Sequence, residues 1–377
     1  MSDGATFRLG VLVNPVAGLG GAAGLAGSDG PEVQDLARRR GGRPRASEAM
    51  RLALDALVQH VGIGVRLEAV AAHAPLGLVE ARGAGLRTEV LDLDVPATTG
   101  PEHTEAAARA LAERCDLVLF AGGDGTARDV RRGLGPDTPV LGVPGGVKMH
   151  SAVFATSART AGVLAASVAL GEVGAWSRRE VVDLDEEARR AGDLRVELFG
   201  YLTVPDRPRH VQDRKIGVQT STASSLASAR GLVAAMRPGV RYALGPGATT
   251  AAVCELLGEE PTLLGVDVVE DGRIVAADAT AAVLDRIMRT GDVVVVSPIG
   301  GQGFLLGRGN QQFSPGLLAR LGRDGIWCVA AQEKLAALAG APLLVDTGVP
   351  TVDAIVGGHV RCVTGEGRWA VYPVAAG

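Results

Sequence analysis

Short apolar runs, each closed by a turn and followed by a helix-forming stretch, recur from Phe7 to about residue 170. Phe7–Asn14 (FRLGVLVN) reads as a buried strand stopped at Asn-Pro. Arg66–Ala71, Thr88–Leu91, Asp116–Ala121 and Val140–Val143 read as four more strands. Between them, Ala46–Val61 carries Leu52, Leu54, Ala56, Leu57 and Val61 at helical spacing. Glu102–Glu113 is an Ala/Glu-rich helix, and Ala127–Leu134 and Ala152–Ala169 are two further helices. Parallel strands need long crossovers, usually helical, whereas antiparallel ones can be joined by hairpins. The alternation therefore predicts an α/β domain with a parallel sheet covered by helices.

Beyond about residue 178 the runs shorten and helices thin out. Glu180–Asp185, Leu194–Leu202 and Lys215–Gln219 are β-like, and Ser221–Met236 is helical. Glu260–Ala276 reads as two strands joined at Asp271-Gly272, a hairpin signal. Asp292–Ser297 is a fully buried strand. From Ser314 onward helix and strand patterns alternate again, ending in two strands, a pattern that fits an extension of either domain. The expected organisation is an α/β nucleotide-binding domain over 1–177 and a β-rich domain with an α/β C-terminal extension over 178–377. No internal repeat is visible.

Composition narrows the function. Glycine supplies 53 of 377 residues, about twice its average share of roughly 7%, without a collagen period. Such usage fits loops where the main chain approaches a ligand closely. A formal net charge of −4 gives no basic footprint for nucleic acid. Cysteines at 115, 254, 328 and 362 have neither CxxC nor zinc-ligand spacing and read as buried small hydrophobes in a reducing compartment. With no signal-peptide pattern and no apolar run long enough to span a bilayer, a cytoplasmic protein without membrane attachment is expected.

The sharpest motif is Gly122-Gly123-Asp124-Gly125-Thr126, between an apolar strand and a helix. Its glycines let main-chain N–H groups cradle phosphate oxygens, and Thr126 adds a hydroxyl at a helix start. Asp124 fits a proton acceptor for an attacking hydroxyl, or a magnesium ligand; the alternative is a helix-capping turn. Asn14 ends the first strand, on the same expected sheet edge. Gly142–Ser151 (GVPGGVKMHS) again follows a strand. There Lys148 is placed to reach phosphate and Ser151 offers a hydroxyl, while His150 reads as a lone, structural histidine. Gly245, Gly247, Thr249 and Thr250 put glycines and hydroxyls at a helix start. Gly300, Gly301, Gln302 and, farther on, Asn310 lie in glycine-rich loops that bear amides, poor material for a core. The basic stretch Arg38–Arg45 reads as a solvated loop. Neither G-x-G-x-x-G nor a P-loop is present. Asp346-Thr347-Gly348 has no second copy to form an aspartic-protease dyad, so it reads as a turn after a strand.

In this order, Asn14-Pro15, GGDGT, GVPGGVKMHS, GPGATT and GGQG with RGNQQ resemble the ATP–NAD kinase family, and within it a longer branch that includes proteins associated with acetoin catabolism. GGDGT alone is shared with diacylglycerol and sphingosine kinases. Departures from the branch's pattern include Gly145 where alanine is usual, Ala248, and Val349. The resemblance implies the two-domain NAD kinase-like fold with substrates at the domain junction. It implies transfer of a phosphoryl group from ATP, or polyphosphate, to the 2′-hydroxyl of NAD, with magnesium. Asp124 would orient or deprotonate that hydroxyl, and the remaining motif residues would hold phosphate and nucleotide. A homo-oligomer is implied as well. The alternatives are a kinase for another small-molecule hydroxyl, of a specialised or acetoin-type pathway, and a nucleotide-binding protein without catalysis.

Overall fold

The computed structural model describes residues 6–25, 28, 30–62, 65–135, 137–147, 149–184, 196–207, 211, 222–262, 265–299 and 303–376. The chain forms two compact units: residues 1–18 with 44–214, and residues 19–43 with 215–377.

In the first unit β1 (Thr6–Val13), β2 (Arg66–Ala71), β3 (Arg87–Val90), β4 (Leu117–Gly122) and β5 (Val140–Pro144) form one sheet in the order β3-β2-β1-β4-β5. Every pairing is parallel, as the alternation predicts. All six residues of β4 are buried, which is why it reads as an unbroken apolar run: both of its faces carry helices. Helix Ala46–Val61 buries Met50, Leu54, Leu57 and Val61. Helices Pro101–Ala112, Asp124–Gly133 and Ala158–Ala169 complete the layers.

The last of these begins six residues later than its composition suggests. The Ser157 hydroxyl accepts the N–H of Thr160 and fixes the start. Upstream, Val153, Phe154 and Ala155 are fully buried, and the Phe154 ring packs 5.4 Å from that of Phe120. The apolar residues at 152–156 thus serve the core as an irregular loop. Helix Leu78–Gly83 is six residues long, too short for periodicity to reveal. An antiparallel ribbon, β6 (Trp176–Leu184) and β7 (Val196–Pro205), also belongs to this unit.

The second unit carries β8 (Tyr242–Leu244), β9 (Asp267–Glu270), β10 (Arg273–Ala276), β11 (Val293–Val296), β12 (Phe304–Leu306), β13 (Ile326–Val329), β14 (Leu343–Val345), β15 (Gly358–Gly365) and β16 (Arg368–Ala376). They form a mixed sheet in the order β10-β9-β8-β11-β13-β15-β16-β14-β12. The expected hairpin joins β9 to β10, with Asp271 at φ 51° and Gly272 at φ 76°, the left-handed pair that a tight two-residue turn requires. Helices Thr222–Ala235 and Ala248–Leu256 cover one face, over Tyr242, Val295 and Val329. Ala281–Ile287 and Pro315–Leu321 cover the other, over Val294, Val296 and Ile326. Strands β14 to β16 place the C-terminal stretch in this unit.

Helix Pro31–Arg39, also here, buries only Ala37, so no apolar stripe announced it. The expected strand at Lys215–Gln219 lies outside the described residues. All four cysteines are free thiols. Among the described residues no helix is long and apolar enough to cross a membrane.

Candidate active site

The order β3-β2-β1-β4-β5 reverses direction between β1 and β4. In open α/β sheets a crevice opens beyond the carboxyl ends of the strands at such a reversal, and ligands bind there. Asn14 leaves β1 at this point, and Gly122-Gly123-Asp124 leaves β4.

Local contacts tie the two strand ends together. The N–H of Asn14 donates to the Ala121 carbonyl at 3.0 Å, and its side-chain Nδ2 donates to Thr126 Oγ1 at 2.9 Å. Asn14 Oδ1 accepts the N–H of Val16 at 3.1 Å. Both ends of the amide are therefore engaged within the protein, and Thr126 is buried. The glycines are demanded by close packing. A Cβ on Gly122 would collide with the Thr126 side chain, and one on Gly146 would meet Gly123 Cα at 2.7 Å. The turns after β4 and β5 thus touch main chain to main chain, and Gly145 N–H donates to the Gly122 carbonyl at 2.9 Å.

Asp124 opens helix Asp124–Gly133, where its charge meets the positive end of the helix dipole. Its side chain turns toward the loop after β5. Oδ1 accepts the N–H of Ser151 at 2.9 Å, and Oδ2 accepts the N–H of His150 at 2.6 Å. The His150 ring completes the arrangement, with Nδ1 at 3.1 Å from Oδ2. The Ser151 hydroxyl is spent on β6: it donates to the Val182 carbonyl at 2.8 Å and accepts the Val182 N–H at 3.0 Å. A turn farther along the helix, burial pushes the Asp129 carboxyl up to about 6, against the pull of the Arg128 and Arg132 guanidiniums.

The first unit therefore assembles Asn14, Gly122, Gly123, Asp124, Gly125, Thr126 and Ser151 at the carboxyl ends of β1, β4 and β5. The side chains of Asn14, Asp124 and Ser151 are engaged within the protein, and the His150 side chain is mostly buried beside Asp124. His150, read from the sequence as a lone structural histidine, lies just past β5 and meets Asp124.

In the second unit Gly245 follows β8, with its N–H on the Val295 carbonyl at 2.8 Å. Gly247 sits at φ 143°, before helix Ala248–Leu256. Thr249 and Thr250 are buried, and the Thr250 hydroxyl donates to the Gly247 carbonyl at 2.8 Å. Asn310 braces its own loop, donating to the Leu305 carbonyl and accepting the Gly307 N–H, both at 2.9 Å. Asp346 pairs with the buried guanidinium of Arg308 at 2.8 Å. Lys148, Gly300, Gly301 and Gln302 lie outside the described residues.

Comparison with known proteins first fixes the class as a kinase family of the two-domain type. The ATP-NAD kinase N-terminal domain matches residues 11–173, and the ATP-NAD kinase C-terminal domain matches residues 202–374. The chain belongs to the ATP-NAD kinase family. Two solved structures of a provisionally assigned diacylglycerol kinase from Bacillus anthracis str. Sterne align at 16% identity with TM-scores of 0.24. One alignment covers 48% of this chain and 45% of that one, the other 49% and 44%, so each spans under half of the neighbour's length. No curated protein matches.

Proposed function

We propose that this protein transfers the terminal phosphoryl group of ATP, or of polyphosphate, to a hydroxyl, foremost the adenosine 2′-hydroxyl of NAD, giving NADP. The observation that carries the reading is the glycine turn Gly122–Thr126 at the carboxyl end of β4, beside the direction reversal of a parallel sheet. Its main-chain donors and the start of the following helix suit an anionic phosphate. Membership in the ATP-NAD kinase family supports the same reading.

Magnesium fits here as part of the donor rather than as a resident ion. Among the described residues no three His, Cys, Asp or Glu side chains cluster as metal ligands, and both oxygens of Asp124 already accept N–H bonds. Mg²⁺ keeps several waters and is commonly carried by substrate phosphates. It would neutralise charge on the transferred group.

Incubation with ATP, magnesium and NAD is expected to yield NADP, well above an Asp124→Ala control. The engagement of the Asp124 carboxylate favours one competing reading, nucleotide binding without transfer. That reading predicts a nucleotide-induced rise in melting temperature with no NADP and no ADP formed.

A further inference from the structure

We propose that the second unit binds a small, flat aromatic anion in a cavity beside Trp327 and Trp369. The cavity measures about 840 Å³, within the range of small-molecule pockets. It lies wholly within that unit. Gly291 and Asp292, which line it, precede β11, whereas Gly245 follows β8, the parallel neighbour of β11. The cavity therefore sits at the opposite end of these strands from that glycine turn.

The register of the sheet builds its floor. Trp327 on β13 stands beside Arg361 on β15, and Arg361 beside Val371 on β16. Trp369, two residues before Val371, shares their face. Helix Thr222–Ala235 covers part of this face, over Tyr242 and Val329, and ends at the cavity with Ala235. There the N–H of Arg237 donates to the Tyr242 hydroxyl at 2.8 Å, which holds the turn after the helix on the sheet. Past that helix end Trp369 is 44% exposed and Val371 69%. Trp327 is buried, its ring held between those of Tyr242 and Trp369, with centroids 5.8 and 5.3 Å away. The indoles thus form a fixed aromatic wall with one member open to solvent.

The charged groups select the ligand. Arg237 and Arg361 both line the cavity and both are exposed. Among the described residues neither guanidinium meets a carboxylate within ion-pair distance. Of the two carboxylates in the lining, Asp292 is buried and committed: Oδ1 accepts the N–H of Arg241 at 3.0 Å and Oδ2 that of Arg289 at 2.7 Å. Asp324 is exposed, where salt and solvent screen its charge. A guanidinium grips a carboxylate through two parallel N–H bonds and also stacks on aromatic rings. An aromatic ring on the indoles with its carboxylate toward the guanidiniums engages both kinds of group. An uncharged aromatic engages only the first, and a simple anion only the second.

The test uses the full chain labelled with isotopic nitrogen in its tryptophans. There are three, and Trp176 on β6 of the first unit serves as an internal control. Their indole N–H signals are assigned by single Trp→Phe variants. The probe 2-naphthoate is expected to shift the Trp327 and Trp369 signals saturably and to leave that of Trp176 in place. The uncharged 2-naphthamide should bind about tenfold more weakly or less. Arg361→Gln and Arg237→Gln should each weaken 2-naphthoate by about tenfold, the loss of one charge-assisted pair. Both residues are exposed, so the melting temperature should stay at the wild-type value. Equal affinity for the amide, unaltered affinity in both variants, or shifts at all three tryptophans or at none overturns the proposal. Trp327 and Trp369 signals that move with protein concentration alone overturn it too, and assign this face to a second copy of the chain. No readout involves phosphoryl transfer, so any of these results leaves the kinase reading untouched.

Discussion

At the residue scale, one carboxylate and a few glycines decide how the turns after β4 and β5 meet. Asp124 replaces water for two main-chain N–H groups that would otherwise be buried without partners, and such orphans cost about 1–3 kcal/mol each. Its presence in GGDGT therefore has a folding reason. The glycines are equally constrained. At Gly146 an added Cβ meets the Gly123 backbone at 2.7 Å, and backbone cannot swing aside as a side chain can. Gly146→Ala is expected to destabilise the protein by about 1–3 kcal/mol, the usual cost of overpacking. Urea unfolding measures it, and an unchanged midpoint would show that the two turns are not held together. Gly145, where the resembling branch usually has alanine, is similarly tight: a Cβ there would meet Ala46 Cα at 2.9 Å, at the start of helix Ala46–Val61.

At the scale of elements, the helix that follows the glycine turn carries a pH-dependent cost. Asp129 is buried on helix Asp124–Gly133, with Arg128 Nε at 3.4 Å and an Arg132 nitrogen at 3.8 Å. Burial outweighs both cations and raises its carboxyl to about 6 in the fold, above the unfolded value of about 3.9. Below the unfolded value both states hold the proton and nothing is lost. Between the two values the folded state binds more proton than the unfolded one, so stability falls as pH rises through this window and levels off above it. Asp129→Asn lacks this titration. Its stability relative to wild type should climb between about pH 4 and pH 6 and stay level above, as followed by urea unfolding across pH. A constant difference would show that Arg128 and Arg132 fully compensate the burial.

This scale also shows what was legible beforehand. β1 and β4 announced themselves because a central parallel strand is apolar on both faces, and β5, at the edge of the sheet, because all five of its residues are buried. The hairpin at Asp271-Gly272 announced itself because few residues accept its backbone angles. The stretch at 152–156 misled because alanine, valine and phenylalanine suit a packed loop as well as a helix. Helix Pro31–Arg39 was silent because almost none of it is buried. The partnership of Asp124 with His150 spans 26 residues and exists only once β4 and β5 lie side by side.

At the scale of the whole molecule, two units are built on different sheets, one wholly parallel and one mixed. Both raise glycine turns at strand ends; the turn of the first leaves a wholly parallel sheet, that of the second a mixed one. That distinction makes the central claim local: the anionic donor is gripped at the carboxyl ends of β4 and β5. Amide hydrogen exchange with and without MgATP tests this most directly. The account predicts slowed exchange in peptides covering residues 120–127 and 145–151. Protection confined to other segments, or none at saturating nucleotide, would contradict it.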